Sequence, residues 1–170
     1  MQSIDITARI GGASGGVFNY RVGAIIIDAG QILMVKNAGA PFYYTVGGRI
    51  QFGETAQEAM VREAYEETGL PLEVERLAFV HENFFVLEDT GEPYHELCYF
   101  FVMKPHGQLR AAAQGAFQEV YGSVEYHWLP VDALGEIPLY PEFFKTQLQN
   151  MPSQTVSFVT RDGVTKKGLE

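Results

Sequence analysis

The chain has 170 residues, of which 12 are basic and 21 acidic, so its formal net charge is −9 at pH 7. This charge argues against a broad basic surface and therefore against long nucleic acid as a partner. With 46% hydrophobic residues, the composition favours one globular domain with a sizeable core over residues 1–170. No run of eighteen apolar residues occurs, so we expect no membrane span.

The cysteine content and the N-terminus bear on the cellular compartment. Cys98 is the only cysteine and lies in the apolar run Leu97–Met103. It cannot form an internal disulfide, and we expect it to be buried. The segment Met1–Asp5 lacks the basic and apolar regions of a secretion signal. Both features favour a cytoplasmic location.

Strands are predicted in the first third of the chain. The apolar runs Val22–Asp28 and Gln31–Lys36 are joined by Ala29 and Gly30, which predicts a hairpin. The segment Phe42–Val46 then leads into a glycine-rich loop. The glycines of Gly11–Gly16 predict a flexible loop and not a phosphate-binding loop, because no helix start follows them.

A helix is predicted immediately after the glycine-rich loop. Thr55 and Glu58 form a capping box at its start, whereas Gly69 and Pro71 end it. The spacing predicts a core-facing stripe of Val61, Ala64, Tyr65 and Thr68, opposite the acidic side. Ala56, Ala59 and Met60 flank the acidic side without charge, and we expect them to leave room for a ligand.

The remainder of the chain predicts strands with little helix. We expect strands at Glu73–Phe85 and Tyr94–Met103, with a turn between them at Glu88–Pro93. Residues 104–122 are expected to form a loop with room for a short helix, followed by a strand at Val124–Leu129. A helix start at Pro130–Asp132, a helix from Pro141 to about Asn150 and a last edge strand at Thr155–Thr160 complete the prediction.

Three glutamates on the predicted helix point to a metal site. Glu63, Glu66 and Glu67 follow the spacing i, i+3, i+4, which stacks them on one helix face. Their like charges repel one another, so a hard divalent cation with oxygen ligands is the simplest counter-charge. A glutamate-rich helix is commonly only a solvated face. The glycine-rich loop and the capping box beside this one favour the metal site.

The surrounding residues resemble the signature of the Nudix hydrolases. Gly48 is followed after five residues by Glu54, and after seven more by Arg62-Glu63-Ala64-Tyr65-Glu66-Glu67-Thr68-Gly69-Leu70. This matches the signature at every fixed position. Just upstream, Val46 stands where many relatives have proline, which alters loop stiffness and removes no ligand.

The resemblance implies an α/β fold, a Nudix-type α/β/α sandwich with a mixed β-sheet. Its core would span about residues 20–148, with a C-terminal edge strand at about 155–160. It also implies metal-dependent hydrolysis of a phosphoanhydride bond in a nucleoside diphosphate linked to another group. The expected cofactor is Mg²⁺ or Mn²⁺, the partner is this small molecule, and a homodimer is compatible with the resemblance.

Residue roles follow from the same resemblance. Glu66 and Glu67 would hold metal with the Gly47 carbonyl, and Glu63 would act as a ligand or as the base. Glu54 and Arg62 would form a salt bridge that orients these carboxylates.

A further carboxylate is expected from outside the signature. Relatives often recruit one more glutamate from a loop beyond the signature. Glu119, in the glycine-containing segment Gly115–Gly122, is our candidate for an additional catalytic group that closes over the substrate. A solvated loop residue is the alternative.

Substrate identity is less constrained. Tyr43, Tyr44, Phe84 and Phe85 are candidates for stacking on a base, although aromatics at strand spacing are more often core residues. Polar residues near strand ends line the pocket or the surface; they are His81, Glu82, Asn83, His95 and Glu96.

The motifs of three substrate classes are missing from the chain. These are a tyrosine near Val86–Glu88 for dinucleoside polyphosphates, a proline near Phe85 for ADP-ribose, and an arginine-containing upstream pattern for coenzyme A. A catalytically silent ligand sensor is the alternative function. It is disfavoured because such proteins usually lose a signature glutamate, and all are present here.

Overall fold

The computed structural model describes residues 4–12, 15–37, 40–112, 115–119 and 122–161, without the side chains of 112, 115–119, 122 and 123. Ten strands lie in this part of the chain: β1 (Thr7–Ile10), β2 (Gly16–Ile25), β3 (Ile27–Asp28), β4 (Gln31–Asn37), β5 (Gly47–Arg49), β6 (Val74–Val86), β7 (Pro93–Met103), β8 (Gly115–Glu119), β9 (Gly122–Pro130) and β10 (Val156–Arg161). The helices are α1 (Ala56–Thr68), α2 (Leu109–Ala112), a 3₁₀ helix (Val131–Glu136) and α3 (Phe144–Gln147). None of these described helices is long and apolar enough to cross a membrane.

The strands form two sheets. The larger has the order β1-β2-β7-β6-β10, and β5 pairs with β2 beside β1. The smaller has the order β3-β4-β9-β8. In the larger sheet β2 runs parallel to β7 and β10 runs parallel to β6, whereas the other pairs are antiparallel. The predicted mixed α/β architecture is confirmed, and so is the C-terminal edge strand.

One prediction for the first third of the chain needs correction. The hairpin turn at Ala29 and Gly30 is present, with φ values of 47° and 75°. The run Val22–Asp28 nevertheless divides between the two sheets, because β2 ends at Ile25 and β3 begins at Ile27. The segment Phe42–Val46, which leads into the glycine-rich loop, forms only isolated bridges, and regular pairing begins at Gly47.

Helix α1 has the predicted ends. The Thr55 side chain accepts a hydrogen bond from the Glu58 backbone, the Glu58 carboxylate accepts one from the Thr55 backbone, and Gly69 closes the helix with φ 70°. These local contacts satisfy backbone groups that the helix leaves unpaired at its ends. The loop before the helix and the helix itself are therefore fixed at a defined junction.

The predicted core-facing stripe of α1 is wrong in part. Val61 and Tyr65 are 37% and 57% exposed, whereas Ala59, Met60 and Ala64 are fully buried. Ala59, Met60 and Ala64 thus pack in the core, and they do not leave room for a ligand. The acidic residues border this packed side and do not lie opposite it.

The C-terminal half also departs from expectation. Residues 104–122, predicted as a loop with room for a short helix, contain that short helix, α2. They also contain strand β8, which was not predicted and which pairs with β9 from Gly115 opposite Tyr126 to Glu119 opposite Gly122. The predicted helix from Pro141 to Asn150 is reduced to α3. The helix start at Pro130–Asp132 is the 3₁₀ helix.

The buried residues form two clusters on the two sides of the larger sheet. The first lies under α1 and contains Ala59, Met60 and Ala64 with the β2 residues Val22 and Ala24. The second is rich in aromatic rings: Phe79 packs against Phe143, Phe144 and Phe158 with ring centroids 5.3, 6.0 and 5.8 Å apart. Cys98 belongs to this second cluster, as its predicted burial requires.

Replacing Phe79 by alanine tests the second cluster. Phe79 is fully buried, so we expect Phe79→Ala to lower the free energy of unfolding by about 3–5 kcal/mol, measured by urea denaturation. Phe52, which is 78% exposed, is the matched control, and Phe52→Ala should change it by less than about 0.5 kcal/mol. Equal effects of the two substitutions would contradict this description of the core.

Candidate active site

The β5 backbone and helix α1 are joined by a direct hydrogen bond. The Gly47 N–H donates to Oε1 of Glu67 at 2.8 Å. The Tyr126 hydroxyl on β9 donates to the Glu67 main-chain carbonyl at 2.6 Å. Because Tyr126 belongs to the smaller sheet, that sheet helps to hold Glu67 in place. Glu67 is only 7% exposed. A carboxylate so buried needs such donors.

Gly48 allows the closest approach between β5 and α1. A Cβ atom added at Gly48 would lie 2.4 Å from the carboxyl carbon of Glu63 and 2.5 Å from both its oxygens. The Glu63 carboxylate thus lies directly against the β5 main chain. Burial raises the pKa of Glu63, and this outweighs the lowering by the hydrogen bond and charge of Arg62 and by the charge of Arg21.

Arg62 gathers the remaining carboxylates. Its Nε and Nη2 donate to the two oxygens of Glu54 at 3.1 and 2.6 Å, and its Nη1 donates to Glu63 at 2.8 Å and to Glu66 at 3.1 Å. Nη2 also donates to the Arg49 carbonyl at 3.0 Å. The hydrogen bonds from Arg62 lower the pKa of Glu54, and those to Glu54 raise the pKa of Arg62. The salt bridge between Glu54 and Arg62 is present.

The donor set fits a hard divalent cation. Glu63, Glu66 and Glu67 carry carboxylate oxygens and Gly47 carries a backbone carbonyl. These are ligand types that Mg²⁺ and Mn²⁺ accept. No three acidic, histidine or cysteine side chains converge as a metal-binding group in the described part of the chain. Two of the glutamates are held by Arg62 and the third by Gly47. Their assignment as metal ligands stays a prediction.

Glu119 is placed only through its backbone. It ends β8, in a hairpin with β9, and its side chain is among those outside the described part. The structure therefore corrects the expectation that Gly115–Gly122 is an irregular loop. The catalytic role of Glu119 remains a prediction.

The four candidate stacking residues occupy two separate places. Tyr43 lies edge-on to His127 at 5.2 Å, with the Lys36 ammonium 5.0 Å from its ring, and the Tyr44 hydroxyl donates to Asn37 at 2.5 Å. Phe84 and Phe85 lie near the outer end of the β6–β7 ribbon. Phe84 stacks on His95 at 4.2 Å under the Arg161 guanidinium, and Phe85 stacks on Tyr94 at 5.1 Å.

The polar residues near strand ends all lie on the paired strands β6 and β7. Glu82 accepts from His95 at 2.8 Å, whereas His81 is buried and hydrogen-bonded to Thr160, whose hydroxyl donates to Asn83. Glu96 lies 3.8 Å from Arg21. Arg21 and Arg49 were not among the sequence candidates. The only signal for them was a polar residue at every second position of a strand, Asn19 and Arg21.

The sequence profile of the NUDIX domain matches residues 17–150. The chain belongs to the NUDIX family. A putative 8-oxo-dGTP diphosphatase of Bacillus subtilis is 47% identical over 53 residues, which are 29% of this chain and 36% of that protein. An ADP-ribose pyrophosphatase of Methanocaldococcus jannaschii is 40% identical over 65 residues, 36% of this chain and 38% of that protein. Each match spans little more than a third of the relative.

A solved NUDIX-type structure supports the fold. The mutator MutT protein of Bacillus halodurans superposes with a TM-score of 0.57 at 18% identity, covering 85% of this chain and 91% of that chain. An ADP-ribose pyrophosphatase of Streptococcus suis gives 0.52 at 16% identity, covering 84% and 98%. At such identities the likeness concerns the fold alone.

A double-variant series tests the approach of Glu63 to Gly48. We expect Gly48→Ala to lower the free energy of unfolding by about 1–3 kcal/mol, because the new methyl group meets the Glu63 carboxylate. Adding Glu63→Ala should recover part of this loss, since the space is then vacated. Gly135→Ala is the control, because no described atom lies within 4 Å of a Cβ atom added at Gly135. The contact would be disproved if Glu63→Ala brought no recovery in chemical denaturation.

Proposed function

We propose that this protein hydrolyses a phosphoanhydride bond in a nucleoside diphosphate linked to another group, with Mg²⁺ or Mn²⁺ as cofactor. The observation that carries this proposal is the complete signature held in one folded arrangement. Glu54, Arg62, Glu63 and Glu66 are joined by hydrogen bonds, and Glu67 is fixed to Gly47. A surface helix with only a solvated acidic face would not need these contacts.

The residues that would hold the metal are Glu63, Glu66, Glu67 and the carbonyl of Gly47. When bound, a divalent ion neutralises the phosphate oxygens and makes a water molecule more acidic. Glu67 is suited to a fixed ligand position because its backbone and one carboxylate oxygen are both anchored. Glu66 is more than half exposed and is free to turn from Arg62 to a ligand.

Glu63 combines two properties that suit a proton acceptor. It is largely buried, which raises its pKa and makes it a stronger base than an exposed glutamate. It is also held at the β5 edge by Gly48 on one side and Arg62 on the other. We propose that Glu63 serves as a metal ligand or takes the proton from the attacking water.

The relatives support the reaction class and not a particular substrate. Their names include an 8-oxo-dGTP diphosphatase, an ADP-ribose pyrophosphatase and an RNA pyrophosphohydrolase. The bond shared by these substrates is a phosphoanhydride. We therefore propose a nucleoside diphosphate derivative as the partner and leave the group attached to it open.

Replacing Glu67 by glutamine tests the metal assignment. The amide oxygen can still accept the Gly47 hydrogen bond, so we expect the melting temperature to stay near that of the parent. Loss of one charged ligand should lower kcat by about a hundredfold or more. Turnover of nucleoside diphosphate derivatives with Mg²⁺ or Mn²⁺, read as phosphate released by a coupled phosphatase, provides the measurement.

The matched control is Glu75→Gln on β6, which removes an exposed carboxylate outside the signature and should leave kcat unchanged. Addition of excess EDTA to the parent should abolish turnover. Full activity in EDTA, or unchanged kcat in Glu67→Gln, would overturn the proposed metal dependence.

Glu119→Gln tests the proposed additional carboxylate. If Glu119 contacts the metal or the attacking water, kcat should fall more than about tenfold, with little change in melting temperature because the residue ends a strand of the sheet edge. A kcat within about twofold of the parent, which corresponds to only ~0.4 kcal/mol, would assign the base to Glu63 instead.

A further inference from the structure

Two arginines face each other on neighbouring strands at the edge of the candidate site. Arg21 on β2 lies directly opposite Arg49 on β5 in the antiparallel register. Side chains that are directly opposite in such a pair point to the same face of the sheet. Like charges in this position destabilise the sheet, so the pair offers no advantage to folding.

Few contacts neutralise this pair. Arg21 makes no side-chain hydrogen bond within the described part of the chain, and its ion pair with Glu96 is long, at 3.8 Å. Arg49 donates one hydrogen bond, from Nε to Asn19 Oδ1 at 3.4 Å, and lies 3.9 Å from Asp5. A guanidinium carries five N–H donors, so most donors of both residues have no acceptor among the described atoms of the protein.

Arg62 shows how a structural arginine behaves in the same region. Its guanidinium makes five hydrogen bonds, four to carboxylate oxygens and one to a carbonyl, and its side chain is 22% exposed. Arg21 and Arg49 are 34% and 42% exposed. They are thus accessible to solvent, partly enclosed, and without the fixed acceptors that Arg62 has.

The position of the pair relates it to the α1 carboxylates. Arg49 follows Gly48, whose main chain lies against the Glu63 carboxylate, and Arg21 lies opposite Arg49. Around the pair, Asn19 on β2 lies in register with Glu96 on β7 and then Asn83 on β6, so polar side chains continue from the pair across the sheet.

We infer that Arg21 and Arg49 form a binding site for the phosphate groups of the substrate, on the other side of β5 from the α1 carboxylates. This inference rests on the proposed function and deepens it. The planar fork of a guanidinium matches two phosphate oxygens at once. An anion between the two arginines relieves their repulsion and supplies acceptors for their open donors. The chain has a net charge of −9, so local positive charge is needed to hold an anionic substrate.

Binding of ADP, measured by isothermal titration calorimetry with Mg²⁺, tests the site without requiring hydrolysis. We expect Arg21→Gln and Arg49→Gln each to weaken ADP binding by about tenfold. Adenosine, which has no phosphate, should bind all variants equally. Melting temperatures should be unchanged or raised, because each substitution removes one of two facing like charges.

Arg9→Gln is the matched control. Arg9 lies on β1, pairs with Glu92 and is 65% exposed, so its removal changes the net charge equally and should leave ADP affinity within about twofold. Arg21→Lys keeps the charge but loses the fork, and its affinity should fall between those of the parent and Arg21→Gln. If Arg21→Gln fails to fold, the ADP affinity of Arg21→Lys tests the role of Arg21 in its place.

The inference is overturned if the parent does not bind ADP, if both glutamine variants bind ADP within about twofold of the parent, or if adenosine binding falls in parallel. Failure of the proposed function gives a different result. The parent would then show no metal-dependent hydrolysis, or Glu67→Gln would keep full turnover, while the ADP affinities would still report on the two arginines.

Discussion

The site depends on one guanidinium that holds like charges together. Glu54, Glu63 and Glu66 all accept hydrogen bonds from Arg62, and without it their charges would repel at the short distances set by one helix face and the loop before it. A guanidinium is suited to this position because it stays charged at every relevant pH and donates in a fixed plane. By also donating to the Arg49 carbonyl, Arg62 fastens strand β5 to helix α1.

The limits of α1 could be predicted because their causes are local. The Thr55 cap, the Glu58 return contact and the left-handed Gly69 all lie within a few residues of the ends that they fix. The buried side of the same helix could not be predicted from its spacing. Val61 and Tyr65 are larger than Ala59 and Ala64, yet the alanines are buried, because together with Met60 they lie on the side of α1 that packs on the sheet.

Other features depended on contacts between distant segments. Phe42–Val46 has the composition of a strand, but Gly47–Arg49 forms the pairing, because β5 borders β2 where β1 has ended. The same holds for Arg21 and Arg49, which are far apart in the sequence and adjacent only through strand register. The signature predicted the residues on α1 because it is one continuous segment. It carried no information about residues that the sheet brings to its edge.

Strand β5 then explains why carboxylates and arginines can serve one substrate. Gly47 and Gly48 have no side chains, so the Glu63 carboxylate reaches the main chain on one side of the strand, while Arg49 and Arg21 lie beside it in register. Any side chain at Gly48 would occupy the space of the Glu63 carboxylate. A phosphoanhydride is a small, strongly anionic group that needs cations on more than one side. On our proposals, metal held by α1 would supply positive charge on one side of β5, and the two arginines would supply it on the other. Because Gly47 and Gly48 carry no side chains, the metal and the arginines could then approach the same diphosphate closely.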